Sequence, residues 1–327
     1  MKTSLALGDV SFSPPYFIAP MAGITHAPFR RLVSDFGGYG ALFTEMLSVK
    51  SLAVENLETS PFTKRRPQEG LVWYQLLIGN NDDYMKGLNR LLSIKPDAID
   101  INAACPAPEI VKRGAGAALF KDSRRLAEIL KTIRQTYKGI LSVKCRLGDG
   151  EEGWENRFVN HLRICEDAGI DALIVHPRFS FEKLKRRARW ERFLWVCSQT
   201  KLPIIANGDI TSLSDIEEHA EAFAPVSGVM IGRLAVVKPW ILATPTTIDY
   251  TAIWQKMYAY ILEDFEEPKA LGRLKEFSAY YARNFFFGAH LQTAIQSAPD
   301  CNAIYERATA FLSTNPQVSL NPSVSGI

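Results

Sequence analysis

Side chains with reactive chemistry follow short apolar runs of the sequence. Cys105 lies in the segment NAACPAP, just after Asn102, and Pro106 stiffens the turn. A thiol on a loop can serve as a general acid or as a nucleophile. Taken alone, Cys105 is equally well interpreted as a reactive thiol and as a small hydrophobe.

Lys144 stands inside the apolar run SVKCRL. A buried lysine costs free energy unless a partner or a ligand compensates its charge. We therefore expect its ammonium to stabilise an anionic ring, with an aldolase-type Schiff base or a salt bridge to Glu45 or Asp100 as alternatives. Gln75, in YQLLIG, carries an amide that either recognises an imide edge or satisfies neighbouring backbone groups.

Two glycine-bearing segments indicate an anion site. Asn207, Gly208 and Asp209 precede a helix candidate, and Gly232 with Arg233 follows the last apolar run. Glycines let backbone N–H groups approach a phosphate, and a helix N-terminus adds partial positive charge. We expect phosphate binding here because Arg233 adds a formal charge. The alternative is that the glycines only close tight turns.

These residues can form one site only if they lie at the ends of strands that meet in the folded protein. Short runs rich in Val, Ile and Leu occur at 16–20, 41–46, 72–78, 97–102, 140–146, 171–176, 202–207 and 227–232. Helix candidates lie between them at 81–94, 123–137, 154–168 and 213–223. Eightfold strand–helix alternation predicts an α/β protein, a (β/α)₈ TIM barrel closed by parallel strands. An open doubly wound sheet is the competing architecture.

In such a barrel the active site forms at the carboxyl ends of the strands. The polar residues that end the runs are therefore the expected functional residues. They are Pro20 to Gly23, Glu45, Gln75, Asn102 with Cys105, Lys144 with Arg146, His176 with Arg178, Asn207 to Asp209, and Gly232 with Arg233. The loops after strands 7 and 8 are the usual phosphate position of barrel enzymes.

The pattern changes after Trp240. Helical runs at 250–265, 271–286 and 302–312 have no strand candidate between them. We therefore predict a barrel over residues 1–244 and a helical domain over 245–315. Residues 316–327 are polar and contain two prolines, so we expect a flexible tail.

Composition excludes several classes of protein. The chain has 327 residues, of which 47% are hydrophobic and 22% charged, and these values are typical of a globular protein. Five cysteines without a CxxC pair argue against disulfides and a thiolate metal site. We find no apolar run of ~18 residues and no signal-peptide pattern, so we expect a cytoplasmic protein outside the membrane. The net charge of +3 is too small to identify a polyanionic partner.

The chain resembles the tRNA-dihydrouridine synthases from Tyr16 to Trp240. The resemblance rests on ordered segments: APMAGITHAPFR, YQLLIG, DINAACP followed by GAGAAL, SVKCRLG, VHPR, IANGDI and VMIGR. In the helical region, GRLKEFSAYY is similar to the family's GRLK segment. The resemblance implies an FMN enzyme on a (β/α)₈ barrel with a helical tRNA-binding domain. It further implies that NADPH supplies electrons to reduce the C5=C6 bond of particular uridines in tRNA.

The resemblance also implies a flavin site on the strand ends. The cofactor-binding residues that it implies are Pro20, Met21, Ala22, Gln75, Lys144, His176, Asn207, Gly208, Asp209, Gly232 and Arg233. Gln75 would bond the pyrimidine edge, while Lys144 and His176 would lie near the N1–C2=O side. The last five would hold the phosphate.

On the substrate side, the resemblance implies that Cys105 is the proton donor and that Asn102 and Arg178 face the uracil. A thiol of pKa ~8.5 is mostly protonated at neutral pH, which suits an acid. Because a stacked base cannot reach a barrel mouth, the uridine must be extruded from the tRNA.

The segment KLKRRAR (183–189) is the strongest local concentration of positive charge, since five of its seven residues are basic. Its position after the His176 loop favours an RNA contact over a solvated helix face. We expect Lys183, Lys185, Arg186 and Arg187 to contact tRNA. We expect a monomer.

The chain departs from the family's motifs mainly in substrate-side loops. Ala104 replaces the glycine of GCP, His26 replaces an aspartate, and Pro177 with Phe179 changes the HGRT or HART motif. These changes leave open three alternatives. The chain could be a related enzyme acting on another RNA, an FMN barrel dehydrogenase of the dihydroorotate or ene-reductase type, or a non-catalytic RNA-binding barrel.

Overall fold

Eight parallel strands close into a barrel in the computed structural model, which describes residues 2–324. A hairpin of β1 (Leu5–Leu7) and β2 (Val10–Phe12) comes first. The barrel strands are β3 (Tyr16–Ile18), β4 (Ala41–Ser48), β5 (Val72–Leu77), β6 (Ala98–Ala103), β7 (Ile140–Arg146), β8 (Ala172–His176), β9 (Ile204–Asn207) and β10 (Gly228–Ile231). Each strand pairs with the next, and β10 closes the ring against β3. The predicted TIM barrel is confirmed and the open sheet is excluded.

The barrel strands follow the predicted apolar runs because both of their faces are covered. Strands β5 to β10 are buried at every position. Such strands read as continuous apolar runs rather than as alternating ones. Their bounds differ from the prediction mainly at β3, which ends at Ile18, and at β4, which continues to Ser48 through a register shift between Phe43 and Met46.

The β1–β2 hairpin closes the amino-terminal end of the barrel. Its buried side chains pack with Phe17, Phe43 and Trp73 of the barrel interior. The Phe12 ring lies 5.8 Å from that of Trp73, edge to face. The sequence did not predict this hairpin, since strands of three residues are too short to show a period. The barrel interior is therefore filled below the strand ends.

Helices surround the barrel in the predicted alternation. They are α1 (Ala27–Ser34), α2 (Val49–Leu52), α3 (Tyr84–Ser93), α4 (Pro108–Val111), α5 (Ala117–Lys121), α6 (Ser123–Thr136), α7 (Trp154–Asp167), α8 (Arg192–Ser198), α9 (Ser214–Glu218), α10 (Ala220–Phe223) and α11 (Arg233–Val237). Two short 3₁₀ turns occur at Ser180–Glu182 and Ala282–Asn284. Aspartate caps explain two of the starts: Asp83 accepts from the N–H of Lys86, and Asp122 from that of Arg125. The helix predicted at 213–223 divides at His219.

Four helices follow the barrel: α12 (Tyr250–Asp264), α13 (Glu267–Tyr281), α14 (Gly288–Gln296) and α15 (Cys301–Leu312). Three match the predicted helical runs, but α14 was not predicted. Helix α12 lies on α1, where Arg31 contacts Glu263 at 2.6 Å and Lys256 contacts Asp35 at 3.1 Å. Within the described part of the chain, no helix is long and apolar enough to cross a bilayer.

Residues 316–324, within the segment predicted to be a flexible tail, contact the rest of the protein at several points. Val318 bridges to Phe285, and the Leu320 carbonyl accepts from the Lys238 ammonium at 2.7 Å. Val324 is 2% exposed. Two of these contacts are hydrogen bonds from barrel side chains to backbone carbonyls, and the flexibility of the segment stays a prediction. Residues 325–327 of the expected tail are outside the described residues.

Candidate active site

A cavity of about 230 Å³ opens at the carboxyl ends of the barrel strands. Its lining residues are Ala19, Pro20, Met21, Lys144, Arg146, His176, Leu184, Asn207, Gly208, Asp209, Ile210, Met230, Gly232, Arg233 and Tyr280. Most residues that the sequence assigned to a cofactor are thus gathered at one place. Ala22 and Gln75 do not line the cavity, and Gln75 is fully buried.

Lys144 presents a buried ammonium to this cavity. Its residue is 8% exposed, and within residues 2–324 its Nζ has no hydrogen bond and no ion pair. Burial and, after it, the neighbouring Arg146 lower the pKa of Lys144 to about 8, while Asp100 opposes the shift. The salt bridges considered for Lys144, to Glu45 or Asp100, are therefore absent from the described residues. The other two interpretations of Lys144, an anionic ligand and an aldolase-type Schiff base, stay predictions.

A chain of buried hydrogen bonds runs beneath Lys144. Ser142 donates to Asp100 at 2.5 Å, Gln75 donates to the other Asp100 oxygen at 2.6 Å, and Asn102 donates to the Gln75 carbonyl at 2.8 Å. Burial raises the pKa of Asp100 to about 6. The amide of Gln75 therefore bridges two strands.

Asn102 links this chain of hydrogen bonds to the Cys105 loop. Its side-chain oxygen accepts from the N–H groups of Ala104 at 3.1 Å and Cys105 at 3.0 Å. The Cys105 carbonyl accepts from the N–H of Ala117 at 2.9 Å. Gly116 has φ 59°, and a Cβ there would lie 2.5 Å from that carbonyl, so only glycine fits. The NAACP and GAGAAL segments thus hold the backbone of the Cys105 loop in one position.

Cys105 is half-buried and lies near two cations of the cavity. Negative charge on its sulfur would raise the pKa values of Lys144 and Arg146. Burial and Arg178 lower the pKa of Arg146 to about 10. The other cysteines are more enclosed or lie on the helices, and Cys165 is 1% exposed.

The side of the cavity where the sequence predicted phosphate binding is a network around Asp209. One Asp209 oxygen accepts from Arg233 at 2.9 Å, and the other accepts from Arg178 and, at 2.8 Å, from the N–H of Ala188. Arg233 also donates to the Val324 carbonyl at 2.9 Å. Asp209 is therefore the internal counter-ion of two guanidinium groups, which sequence reasoning did not foresee.

Arg178 lies 2% exposed in this network rather than at an open substrate face. Its Nη1 donates to His176 Nε2 at 2.7 Å. Because arginine can only donate, His176 accepts at Nε2 and carries its hydrogen on Nδ1. Burial and the surrounding cations hold the pKa of His176 well below its usual value. Gly208 is required beside it, since a Cβ would lie 2.6 Å from His176 Cδ2.

Helix α13 forms one wall of the cavity, and its contribution was not predicted. Tyr280 lines the cavity, and the Glu276 carboxylate occupies the space where a Cβ of Gly23 would lie. The Gly23 N–H donates to Glu45 at 2.8 Å. The i, i+4 spacing of Glu276 and Tyr280 places them on one helix face, and that spacing was a usable signal.

The basic segment 183–189 lies on the same face. Lys183, Lys185, Arg186 and Arg187 are exposed, and none of their side chains has a hydrogen bond or ion pair among the described residues. Arg189 differs, because it pairs with Glu182 at 2.5 Å. Arg146 fixes the loop by donating to the Lys183 carbonyl at 2.8 Å. Residues 2–324 contain no group of His, Cys, Asp and Glu suited to a metal ion.

Fold and site together define a TIM-barrel protein with a cationic cavity at its strand ends. Residues 17–307 match the family model described as dihydrouridine synthase (Dus). The chain belongs to the dihydrouridine synthase family.

The relatives cover from 69% to 94% of the chain. A probable tRNA-dihydrouridine synthase of Rickettsia conorii is 26% identical over 326 residues, or 94% of this chain and 96% of the relative. One of Helicobacter pylori is 33% identical, with 69% and 68% covered. The tRNA-dihydrouridine synthase B of Pasteurella multocida is 31% identical, with 72% and 70% covered.

Solved structures with the same fold include an old yellow enzyme homologue of Zymomonas mobilis. Its TM-score is 0.53 at 13% identity, and 77% of this chain and 95% of that chain are covered. The old yellow enzyme of Trypanosoma cruzi gives a TM-score of 0.50 at 11% identity, with 72% and 89% covered. At these identities, the similarity establishes the barrel fold alone.

Proposed function

We propose that this protein is an FMN-dependent tRNA-dihydrouridine synthase that reduces the C5=C6 bond of specific uridines with electrons from NADPH. The observation that carries the proposal is Lys144, a buried and unpaired ammonium facing a cavity beside the fixed Cys105 loop. Family membership and the names of the relatives support the same activity. A cytoplasmic location and a monomeric state remain predictions from the sequence.

The residues present fit the chemistry of FMN. Lys144 would lie against the N1–C2=O side of the ring, where negative charge develops on reduction. The backbone at Asn207–Asp209 and Gly232, with Arg233, would hold the phosphate. Pro20, Met21 and Ala22 would lie against the ring. The Nδ1 hydrogen of His176, which has no acceptor among residues 2–324, would donate to it. Gln75 would reach the pyrimidine edge only with its remaining amide hydrogen, since the rest of its amide is bonded to Asp100 and Asn102.

When bound, the flavin would supply a hydride to uracil C6. The protein's own contribution is the proton for C5, which we assign to the Cys105 thiol. Transfer of one hydride and one proton across C5=C6 gives 5,6-dihydrouracil with all atoms balanced. Lys144 and Arg146 near the sulfur would stabilise the thiolate that the step leaves behind.

Substrate binding is assigned to the exposed face around the cavity. Asn102 and Arg178 would orient the uracil, Arg178 after exchanging part of its contact with Asp209. The unpaired cations of 183–187 would neutralise phosphates of the tRNA, and the helical region would extend that surface. The uridine would enter the cavity extruded from its stack. An extended cationic surface of this kind favours RNA over a free small-molecule substrate.

The activity can be tested by mass spectrometry of tRNA from a strain that lacks the gene. Complementation with the wild-type gene should restore dihydrouridine at defined positions, whereas Cys105→Ala should not. Purified protein should show flavin absorbance, or acquire it on reconstitution with FMN. Unchanged tRNA in the deletion strain would refute the proposed activity, and restoration by Cys105→Ala would refute the acid assignment alone.

A further inference from the structure

Phe181 is an exposed aromatic ring on the active face of the barrel. It is 70% exposed and lies in the 3₁₀ turn Ser180–Glu182 that follows β8. Its ring is parallel to that of Phe179, with an interplanar angle of 8° and centroids 5.9 Å apart. Within residues 2–324 this is the only ring contact of Phe181. One face of an aromatic ring is therefore offered to solvent beside the cavity.

The ring is held in place by its surroundings. Gly150, at φ 76°, packs beneath the pair, since a Cβ there would lie 3.0 Å from atoms of both Phe179 and Phe181. Phe179 is fixed in turn by Trp154, whose ring lies 5.0 Å away edge to face, and by the Arg189 guanidinium at 4.8 Å. A ring ordered in this way loses little conformational entropy when a flat partner stacks on it.

The charge around Phe181 indicates which kind of partner it takes. Lys183, Lys185, Arg186 and Arg187 follow it after Glu182, which pairs with Arg189, and carry no ion pair within the described residues. Leu184, 46% exposed, leads from this stretch into the cavity lining. Four uncompensated cations select a polyanion, and an aromatic face among them matches the combination of stacking and backbone neutralisation by which proteins bind single-stranded nucleic acid.

We propose that Phe181 is a stacking platform for a nucleobase adjacent to the uridine that enters the cavity. The inference rests on the proposed function and deepens it. A base next to an extruded nucleotide loses one stacking partner, and the Phe181 ring would replace it. The cations of 183–187 would neutralise the phosphates on either side. Phe181 is thus assigned as a positioning residue that acts on RNA binding, not on the reacting atoms.

The test compares Phe181→Ala, Phe181→Leu and Phe181→Trp in the flavin-loaded enzyme with unmodified tRNA. Phe181→Ala should raise the Kd and the KM for tRNA roughly tenfold, about 1.4 kcal/mol, and leave kcat within about twofold. Phe181→Trp should retain wild-type affinity. Phe181→Leu, apolar but not aromatic, should resemble the alanine variant.

Salt dependence separates stacking from charge. Phe181→Ala removes no charge, so log Kd against log salt should keep the wild-type slope at every concentration. The double variant Lys185→Gln/Arg186→Gln should lower that slope. Leu320→Ala is the control for the loss of an exposed apolar side chain, because Leu320 is 82% exposed and lies outside both the basic segment 183–189 and the helical region proposed to bind tRNA. It should bind tRNA as the wild type does.

The outcomes distinguish failure of the Phe181 stacking role from failure of the proposed function. Wild-type activity together with unchanged tRNA affinity in Phe181→Ala, or full affinity in Phe181→Leu, overturns the stacking role and leaves the proposed function intact. A changed salt slope in Phe181→Ala also overturns it. Flavin-loaded wild-type protein that neither binds nor reduces tRNA overturns both, and leaves the exposed ring for a protein partner.

Discussion

The two cationic sides of the cavity are neutralised in opposite ways. Arg178 and Arg233 share the carboxylate of Asp209, so their charges are compensated within the protein. Lys144 is as deeply buried but has no partner among the residues that the structure describes. One side is thus neutralised within the protein, whereas the other carries a desolvation cost that a bound anion would offset. This contrast predicts that the surroundings of Lys144 serve ligand binding at the expense of stability.

The largest expected effect comes from Lys144→Met. Loss of the ammonium should reduce the rate of flavin-dependent turnover roughly 10²–10³-fold, by analogy with the removal of one preorganised charge-stabilising group. The flavin-free protein should become more stable, because a buried uncompensated charge is gone. Turnover and thermal unfolding of the apoprotein measure the two effects.

Lys131→Met is the control for Lys144→Met, since Lys131 is exposed on α6. It should change neither quantity. A Lys144→Met apoprotein less stable than the wild type would contradict the contrast, because it would mean that the ammonium has an internal partner.

The pH dependence of stability provides the next largest effect. The pKa of Lys144 is about 8 in the folded protein, below the usual 10.5, so the unfolded state binds more protons between these values. Stability attributable to Lys144 therefore rises with pH across that window, by about 3 kcal/mol, and the full cost is present below pH 8. Above pH 10.5 the contribution disappears.

Urea unfolding of the apoprotein from pH 7 to 10 measures this effect, as the difference between wild type and Lys144→Met. Subtraction removes the cysteines and tyrosines that titrate in the same range. Asp100, with a pKa of about 6, titrates below the window. A difference independent of pH would mean that Lys144 keeps its ordinary pKa.

The sequence predicted much of the fold and of the cavity, and the exceptions have physical reasons. Apolar runs marked all eight barrel strands because strands covered on both faces need apolar residues throughout. The position of cavity residues such as Lys144 and His176 was predicted because the carboxyl ends of the barrel strands meet at one face. The hairpin at 5–12 was not predicted because its strands have three residues each. Helix α14 was not predicted because Gly288 at its start gives no helical signal.

The sequence did not predict which cations are neutralised by a carboxylate within the protein. Asp209 contacts Arg178 and Arg233, which are 31 and 24 residues away in sequence. No local pattern connects them, and the sequence prediction placed all three toward ligands. Likewise, the contacts of residues 316–324 depend on donors from Arg233 and Lys238, which only the folded barrel presents. Pairing across the tertiary structure decides which cations are available to a ligand.

Asp209→Asn should convert the compensated side into an uncompensated one. Two buried guanidinium groups would lose their counter-ion, which should lower the free energy of unfolding by about 2 kcal/mol, less than for a fully buried pair because Asp209 is 18% exposed. Inorganic phosphate should then stabilise the variant more than the wild type. Thermal unfolding with and without phosphate measures both.

Asp149→Asn is the matched control for Asp209→Asn. Asp149 is 17% exposed and also contacts two cations, Arg157 at 2.8 Å and Lys121 at 3.4 Å, but those partners lie at the surface. Its loss should cost less than ~1 kcal/mol and create no response to phosphate. Equal effects of the two substitutions would show that burial of the arginines does not matter.

The smallest expected effect concerns the second partner of Arg233. The Val324 carbonyl accepts a hydrogen bond from Arg233, and Val324 is 2% exposed. Val324→Ala should therefore loosen the segment 316–324 and lower the free energy of unfolding by about 1 kcal/mol. Leu320→Ala, at an 82% exposed position in the same segment, should change stability by less than ~0.5 kcal/mol. Chemical denaturation of the two variants measures the difference. If they behave alike, the segment does not hold Arg233, and compensation of that guanidinium rests on Asp209 alone.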